Sequence, residues 1–169
     1  MQTFAQILGV IGAGFNIGSY QLKKNKHLMI FQFLASTFFV FNYLLIGAFT
    51  GCCMNLIGTI RNLTFIYGKK FRKIWVLILL NLILVVATVL TWENAYSILP
   101  YLGMASMTNV MFFDNGKTIR IAQLFVSSPC WLIYNVINFT LGGILCEVFV
   151  IVSTTISFIR FGFDGFEKD

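Results

Sequence analysis

One apolar run, from Ile74 to Trp92, limits what this chain can fold into more than any other stretch of the sequence. Within it only Asn81, Thr88 and Thr91 are polar, and none of the three is charged. About 20 helical residues, each rising about 1.5 Å, cross the hydrocarbon core of a bilayer. The run therefore predicts a transmembrane helix that faces lipid on most sides and connects two similar parts of the chain.

The composition of the whole chain supports the same environment. Of the 169 residues, 58% are hydrophobic and 11% are charged, and the mean hydropathy is +0.84. These values are typical of multi-span membrane proteins and exclude an ordinary soluble domain. The net charge of +6 does not indicate nucleic acid as a partner, because the basic residues form short clusters between apolar runs.

Seven apolar segments predict an all-α membrane protein with seven transmembrane helices. They are Phe4–Gln21, Leu28–Phe49, Gly51–Tyr67, Ile74–Trp92, Tyr96–Phe113, Ile119–Thr140 and Leu141–Phe161.

The basic residues predict how these spans are oriented. Lys and Arg lie between spans one and two, three and four, five and six, and after span seven, whereas the alternate connections contain none. The positive-inside rule then places the N-terminus outside and the C-terminus in the cytoplasm. The basic residues are Lys23, Lys24, Lys26, Lys69, Lys70, Arg72, Lys73, Lys117, Arg120, Arg160 and Lys168.

The two ends of the chain resemble each other at a shift of 91 residues, which becomes 92 after one inserted residue. This similarity predicts a parallel repeat, related by an axis along the membrane normal. We expect a first three-helix bundle at 1–68, a basic loop with the connector helix at 69–95, a second three-helix bundle at 96–162 and a short cytoplasmic tail at 163–169. The matched positions are Ile7-Leu8 and Ile98-Leu99, Gly12 and Gly103, Lys26 and Lys117, Gln32 and Gln123, Phe39 and Trp131, Gly51 and Gly143, and Asn55 and Glu147.

Two charged residues within predicted spans need a partner, water or a site. Arg61 lies in span three. Either it faces such a partner or site, or its side chain extends to the inner membrane interface. Glu147 lies in span seven and is too short to reach far, so we expect it to be protonated or to face a polar interior. The two are predicted at different depths and need not form an ion pair.

Uncharged polar residues within the predicted spans are candidates for the lining of a central solute pathway. Asn55 and Asn62 repeat at helical spacing on span three, as Glu147 and Thr154 do on span seven, which suits either a pathway lining or interhelical hydrogen bonding. We assign the substrate-binding or pathway residues as Asn16, Asn42, Asn55, Arg61, Trp131, Asn135 and Glu147.

Glycines and prolines interrupt three spans. Span one is poor in bulky residues, and this small face predicts a close helix packing seam. The small residues are Gly9, Gly12, Ala13, Gly14 and Gly18, of which Gly14 and Gly18 form a GxxxG spacing. Pro100 and Pro129 are candidate hinges, because a proline inside a helix frees a carbonyl and kinks the helix.

No sequence pattern predicts an enzyme, a cofactor or a metal site. The four cysteines lie inside apolar segments without metal-ligand or redox spacing, and we expect them to be buried small residues. Paired carboxylates, a histidine cluster and a Ser/His/Asp set are likewise not seen in the sequence, so the chain is predicted not to be an enzyme.

The segments GSYQLKKNKH, NYLLIGAFTGCCMN and IRNLTFIYGKKFR resemble the YgjV-like bacterial inner membrane proteins. The arrangement of spans is similar to the PQ-loop/SWEET superfamily of three-plus-one-plus-three (3+1+3) transporters. This resemblance implies a multi-pass protein of the bacterial inner membrane with two parallel three-helix bundles joined by a connector helix. The first half lacks the prolines that hinge related sugar transporters, so we expect the glycines of span one to supply flexibility there.

The function we expect is transport of a small polar solute by alternating access around a central site between the two bundles. The alternative is a non-transporting membrane receptor or scaffold, whose polar interior holds one ligand or only holds helices together. Two bundles in one chain can enclose a pathway without a partner chain, so a monomer can function. A homo-oligomer is the alternative.

Overall fold

A computed structural model describes residues 2–67 and 71–162 of the chain. In these ranges the protein is all-helical and contains no β-strand. The basic residues Lys69 and Lys70, and the predicted tail 163–169 with Lys168, lie outside the described residues.

The helices coincide with the seven predicted spans to within about three residues at each end. One predicted span, the sixth, is divided into two α-helices by a π-helical segment, and a short 3₁₀ turn at Ala95–Ser97 precedes the fifth. The helices are α1 (Gln2–Ser19), α2 (Asn25–Ile46), α3 (Phe49–Ile66), α4 (Ile74–Leu90), α5 (Ile98–Phe112), α6 (Gly116–Ala122), the π segment (Gln123–Ser127), α7 (Ser128–Ile137) and α8 (Leu141–Phe161).

Within residues 2–67 and 71–162, two helices are both long and apolar enough to cross a membrane by length and hydropathy alone, namely α2 and α8. Shorter apolar helices occur at Thr3–Ser19 and Ile74–Leu90. Helix α3 has 18 residues, but its inward-facing Asn55, Arg61 and Asn62 lower its hydropathy. Polar residues directed to the interior thus weaken the spanning signal of the helices that carry them.

The helices form a closed ring. Helix α1 packs against α2, α2 against α3, α3 against α5, α5 against the rod made of α6, the π segment and α7, α7 against α8, and α8 against α1. Helix α4 contacts α3 and α5 from outside this ring. Its buried residues are Leu77, Leu80, Leu84 and Thr88, a single stripe at helical spacing, and the rest of its apolar surface is largely exposed, as suits a helix in lipid.

Glycines allow the closest helix contacts, but not at the predicted GxxxG positions. A Cβ atom on Gly142 of α8 would lie 2.9 Å from the backbone carbonyl carbon of Gly9 in α1, and one on Gly12 would lie 3.2 Å from the Ala35 carbonyl oxygen. A Cβ on Gly14 would meet nothing within 4 Å. The seam predicted on the small face of α1 therefore runs through Gly9 and Gly12, and Gly14 takes no part in it.

The rod 116–137 contains a π-helical turn at the place where the predicted repeat gains one residue. A π-helical turn accommodates one extra residue in an α-helix, and here the N–H of Ser128 bonds the carbonyl of Gln123. This is the stretch across which the shift between matched residues changes from 91 to 92. Pro129 follows directly in the first turn of α7, and Pro100 lies in the first turn of α5, where a proline interrupts little helical bonding.

Candidate functional site

The ring encloses a central cavity of about 70 Å³. This measure corresponds to space for roughly five or six water-sized groups. Its lining is mixed, with amides, hydroxyls, one guanidinium, one carboxyl and several aromatic rings. The lining residues are Asn16, Tyr20, Gln32, Ala35, Ser36, Phe39, Tyr43, Asn55, Arg61, Gly103, Met104, Met107, Gln123, Ser127, Trp131, Asn135, Gly143 and Glu147.

Most of the lining consists of residue pairs separated by 91 or 92 positions. Both members of each pair lie on the cavity wall, although the two residues often differ in chemistry. The pairs are Asn16 and Met107, Gln32 and Gln123, Ser36 and Ser127, Phe39 and Trp131, Tyr43 and Asn135, and Asn55 and Glu147.

One end of the cavity is closed by a hydrogen-bonded layer around Tyr20, which we call the Tyr20 layer (Tyr20, Gln32 and Gln123). The Gln32 amide donates to the Tyr20 hydroxyl at 2.7 Å, and this hydroxyl donates to Oε1 of Gln123 at 2.5 Å. All three side chains are buried. The layer thus joins α1, α2 and the π segment across the ring.

Arg120 supports this end from behind. Its guanidinium donates to the carbonyl oxygens of Leu22 at 2.8 Å and Gly116 at 3.1 Å, and to the Ser157 hydroxyl at 3.2 Å. The side chain is fully buried. It fixes the loop after α1 to α6 and α8, which holds the Tyr20 layer in place.

The opposite end is closed by an aromatic and amide layer, the Tyr43 layer (Tyr43, Trp131, Tyr134 and Asn135). Tyr43 donates to Oδ1 of Asn135 at 2.5 Å, and the N–H of Gly51 donates to the Tyr134 hydroxyl at 3.1 Å. The ring centroids of Tyr43, Trp131 and Tyr134 lie 6.0–6.3 Å apart. Aromatic rings at this spacing pack favourably and exclude water.

Arg61 lies on the cavity wall with only 3% of its surface exposed. Two of its nitrogens donate to Oδ1 of Asn62, at 2.9 and 3.2 Å, and a third approaches the Thr108 hydroxyl at 3.4 Å and the Met104 sulfur at 3.1 Å. All of these partners are neutral. The guanidinium therefore points inward, and the alternative of an extended, interface-seeking side chain is not what the structure shows.

Glu147 lies on the same cavity wall and is 6% exposed. The buried oxygen Oε2 of its carboxyl group has no hydrogen-bond partner. Ser128 lies beside this carboxyl group and accepts a 2.8 Å bond from the Gln123 amide. Hydrogen bonds thus run from the Tyr20 layer through Gln123 to Ser128, next to Glu147.

The sequence-predicted site residues divide into two groups. Six of them line the cavity, namely Asn16, Asn55, Arg61, Trp131, Asn135 and Glu147.

The others lie elsewhere. Asn42 is buried, but its amide donates to the Ala5 carbonyl at 2.7 Å and faces α1. Pro100 and Pro129 are absent from the cavity wall. Asn62 and Thr154, which were expected to continue the polar stripes, are fully buried. The Asn62 side chain accepts two hydrogen bonds from the Arg61 guanidinium.

Sequence reasoning did not include several wall residues in the site. Tyr20, Gln32 and Gln123 of the Tyr20 layer were not assigned to the site, although the matching of Gln32 with Gln123 at the 91-residue shift carried the signal. The same shift matches Ser36 with Ser127, which lie one helical turn after Gln32 and Gln123.

Among residues 2–67 and 71–162, no three His, Cys, Asp or Glu side chains come together as a metal site. The four cysteines are free thiols, and Cys146 accepts a 3.3 Å hydrogen bond from the Asn16 amide.

The ring of helices, with exposed apolar flanks and a polar interior, defines an all-helical membrane protein. The family model of Imp-YgjV, described as a bacterial inner membrane protein, matches residues 3–164, and the chain belongs to this family. No curated protein and no solved structure matches the chain.

Proposed function

We propose that the protein is a transporter that moves a small polar solute across the bacterial inner membrane by alternating access to the central cavity. The observation that carries the proposal is a polar cavity closed at both ends by separate layers of side chains. Each layer joins helices from the two predicted bundles. A binding site between two closures that can open separately is what alternating access requires.

The ring supports a 3+1+3 arrangement of two parallel bundles. Every contact between neighbouring ring helices has a counterpart at the 91-residue shift, so α1–α2 corresponds to α5–α6, and α3–α5 to α8–α1. Helix α4 then acts as the connector that restores the direction of crossing. The paired wall residues fit the same axis, because they meet at the centre of the ring.

Orientation follows from the basic loops. Lys23, Lys26 and Lys117 lie near the end of the ring closed by the Tyr20 layer, whereas the connections near the Tyr43 layer contain no Lys or Arg. In the orientation with the N-terminus outside, the Tyr20 layer is the cytoplasmic gate and the Tyr43 layer is the outer gate.

The test is the accessibility of the cavity from each side of the membrane. Ser36→Cys, in a variant whose native cysteines are replaced, puts a thiol on the cavity wall, and Thr37→Cys puts one on the outer apolar surface. We expect a membrane-impermeant maleimide to label position 36 in both right-side-out and inverted vesicles, and position 37 in neither. Labelling of position 36 from one side only would favour the receptor alternative, and labelling from neither side the scaffold alternative.

A further inference from the structure

The cavity contains one cationic and one acidic side chain that are not paired with each other. Arg61 is bonded only to neutral groups, and no ion pair within 4.0 Å is found for Glu147 among the described residues. The ion pair that the described part of the chain does form, Arg72 with Asp114 at 2.8 Å, lies outside the cavity wall.

Such an arrangement is costly for a protein without a ligand. A guanidinium is charged at any physiological pH, and a buried charge without a counter-charge destabilises a fold strongly. An ion pair between Arg61 and Glu147 would remove this cost. The two side chains reach the same cavity from α3 and α8, yet they do not form that ion pair. The unpartnered Oε2 of Glu147 shows that the acidic side of the cavity still lacks a donor.

We infer that the cavity binds a small zwitterion, with its carboxylate at Arg61 and its ammonium group at Glu147. The inference rests on the proposed function, because it assigns the solute class of the same cavity. A carboxylate accepts from a guanidinium in a charge-assisted hydrogen bond, and an ammonium group supplies the donor that Oε2 lacks.

The cavity volume limits the size of this solute. About 70 Å³ has space for roughly five or six water-sized groups, which matches an amino acid of the size of glycine or alanine. Trp131 and Met104 cannot move back to enlarge the cavity, because they pack so closely on Gly103 and Gly58 that a Cβ atom there would lie 2.9–3.3 Å from them. We therefore expect the cavity to take only the smallest amino acids.

The experiment measures the binding of four solutes of similar size to the purified full chain in nanodiscs. L-Alanine carries both charges, propionate only the carboxylate and isopropylamine only the ammonium group, and glycerol is the neutral control. We expect alanine to bind at least about 30-fold more tightly than any of the other three, because each missing charge leaves one cavity charge unpaired.

Two variants test the two contacts separately. Arg61→Gln is expected to abolish the preference of alanine over isopropylamine, and Glu147→Gln the preference of alanine over propionate. The matched controls Arg160→Gln and Glu93→Gln change exposed charges outside the cavity and should leave both preferences intact. If Arg61→Gln does not fold, Arg61→Lys keeps the charge, loses the two-pronged donor geometry, and should still reduce alanine affinity.

The outcomes distinguish this inference from transport itself. Three results would overturn the assignment of a zwitterionic ligand: propionate binds as tightly as alanine, glycerol binds more tightly than alanine, or none of the four solutes binds. Flux of a neutral solute through the protein without alanine binding would overturn the zwitterion and leave the proposed transport standing. Alanine binding that requires both residues, with no flux, would overturn transport and leave the ligand class standing.

Discussion

The hydroxyl of Tyr43 donates a hydrogen bond to Oδ1 of Asn135, a residue 92 positions further along the chain, at 2.5 Å. Tyr43 and Asn135 are matched positions of the predicted repeat, so the contact joins corresponding places on α2 and α7. In the two-bundle arrangement that we propose, corresponding residues meet only where they approach the two-fold axis. The proposed axis therefore passes through the Tyr43 layer.

The two closing layers should open independently. Tyr43→Phe removes the donor to Asn135 and leaves a buried amide oxygen unpaired, which costs about 1–3 kcal/mol and destabilises the outer closure. With Ser36→Cys as the reporter, we expect faster maleimide labelling from outside and slower labelling from the cytoplasmic side.

Tyr20→Phe is the matched variant at the other end, because it removes the bond to Gln123. Its expected effect is the reverse, with faster labelling from the cytoplasmic side. Identical effects of the two variants would show that the layers are not separate gates.

The contact between α1 and α8 should tolerate no added methyl group. Gly142→Ala would place Cβ against the backbone of Gly9, which cannot move without separating the helices. Overpacking of this kind costs about 1–3 kcal/mol. We expect a clear drop in the thermal unfolding midpoint in detergent.

Gly14→Ala provides the control, because its Cβ would meet nothing within 4 Å. Alanine is the better helix former by about 0.5–1 kcal/mol, so this variant should be as stable as the native chain or slightly more stable. A more damaging effect of Gly14→Ala than of Gly142→Ala would contradict the seam described above.

Protonation of Glu147 should influence transport, because its buried carboxyl group lies on the wall of the central cavity. Glu147→Gln preserves the shape of the side chain but cannot release a proton, so solute uptake should lose its pH dependence. The tyrosine phenols on the same wall lose a proton only at alkaline pH, and the Arg61 guanidinium keeps its charge at any physiological pH. Uptake by Glu93→Gln, which alters an exposed carboxylate, should keep the native pH profile.

Ser128→Ala tests a link between Glu147 and the Tyr20 layer, because Ser128 lies beside the Glu147 carboxyl group and accepts a hydrogen bond from Gln123. We expect an altered pH profile with the solute affinity largely retained. A native profile in both Glu147→Gln and Ser128→Ala would exclude proton coupling by this route.

The basic loops should all lie on one side of the membrane. His27→Cys, at the exposed start of α2, and Glu93→Cys, in the exposed connection after α4, place single thiols at opposite ends of the ring. In right-side-out vesicles an impermeant maleimide should label position 93 only, and in inverted vesicles position 27 only. The reverse pattern would invert the assignment of the cytoplasmic and outer gates.

Hydropathy predicted the positions of the helices because apolar length alone decides where a helix can lie in lipid. The residues expected in the interior were charged or amide-bearing, and most of them do line the cavity, since burial in lipid is costly for Arg61 and Glu147 wherever they are placed. Asn42 could not be told from these residues, because an amide that bonds a neighbouring backbone carbonyl has the same sequence signature as one that faces a solute.

The closing layers were harder to predict. Tyr20 lies at the end of span one, where a tyrosine is equally typical of the membrane interface. The π segment was detectable only as the one-residue change in the repeat shift, since its residues differ little from those of an α-helix.

The most direct test is solute uptake into proteoliposomes that contain the purified chain, with small amino acids, sugars and nucleosides as substrates. We predict saturable uptake of at least one small polar solute, reduced at least about tenfold by both Arg61→Gln and Glu147→Gln and unaffected by Glu93→Gln. Uptake no faster than into protein-free liposomes, by a chain that is folded and correctly inserted, would contradict the assignment of the central cavity as a transport site.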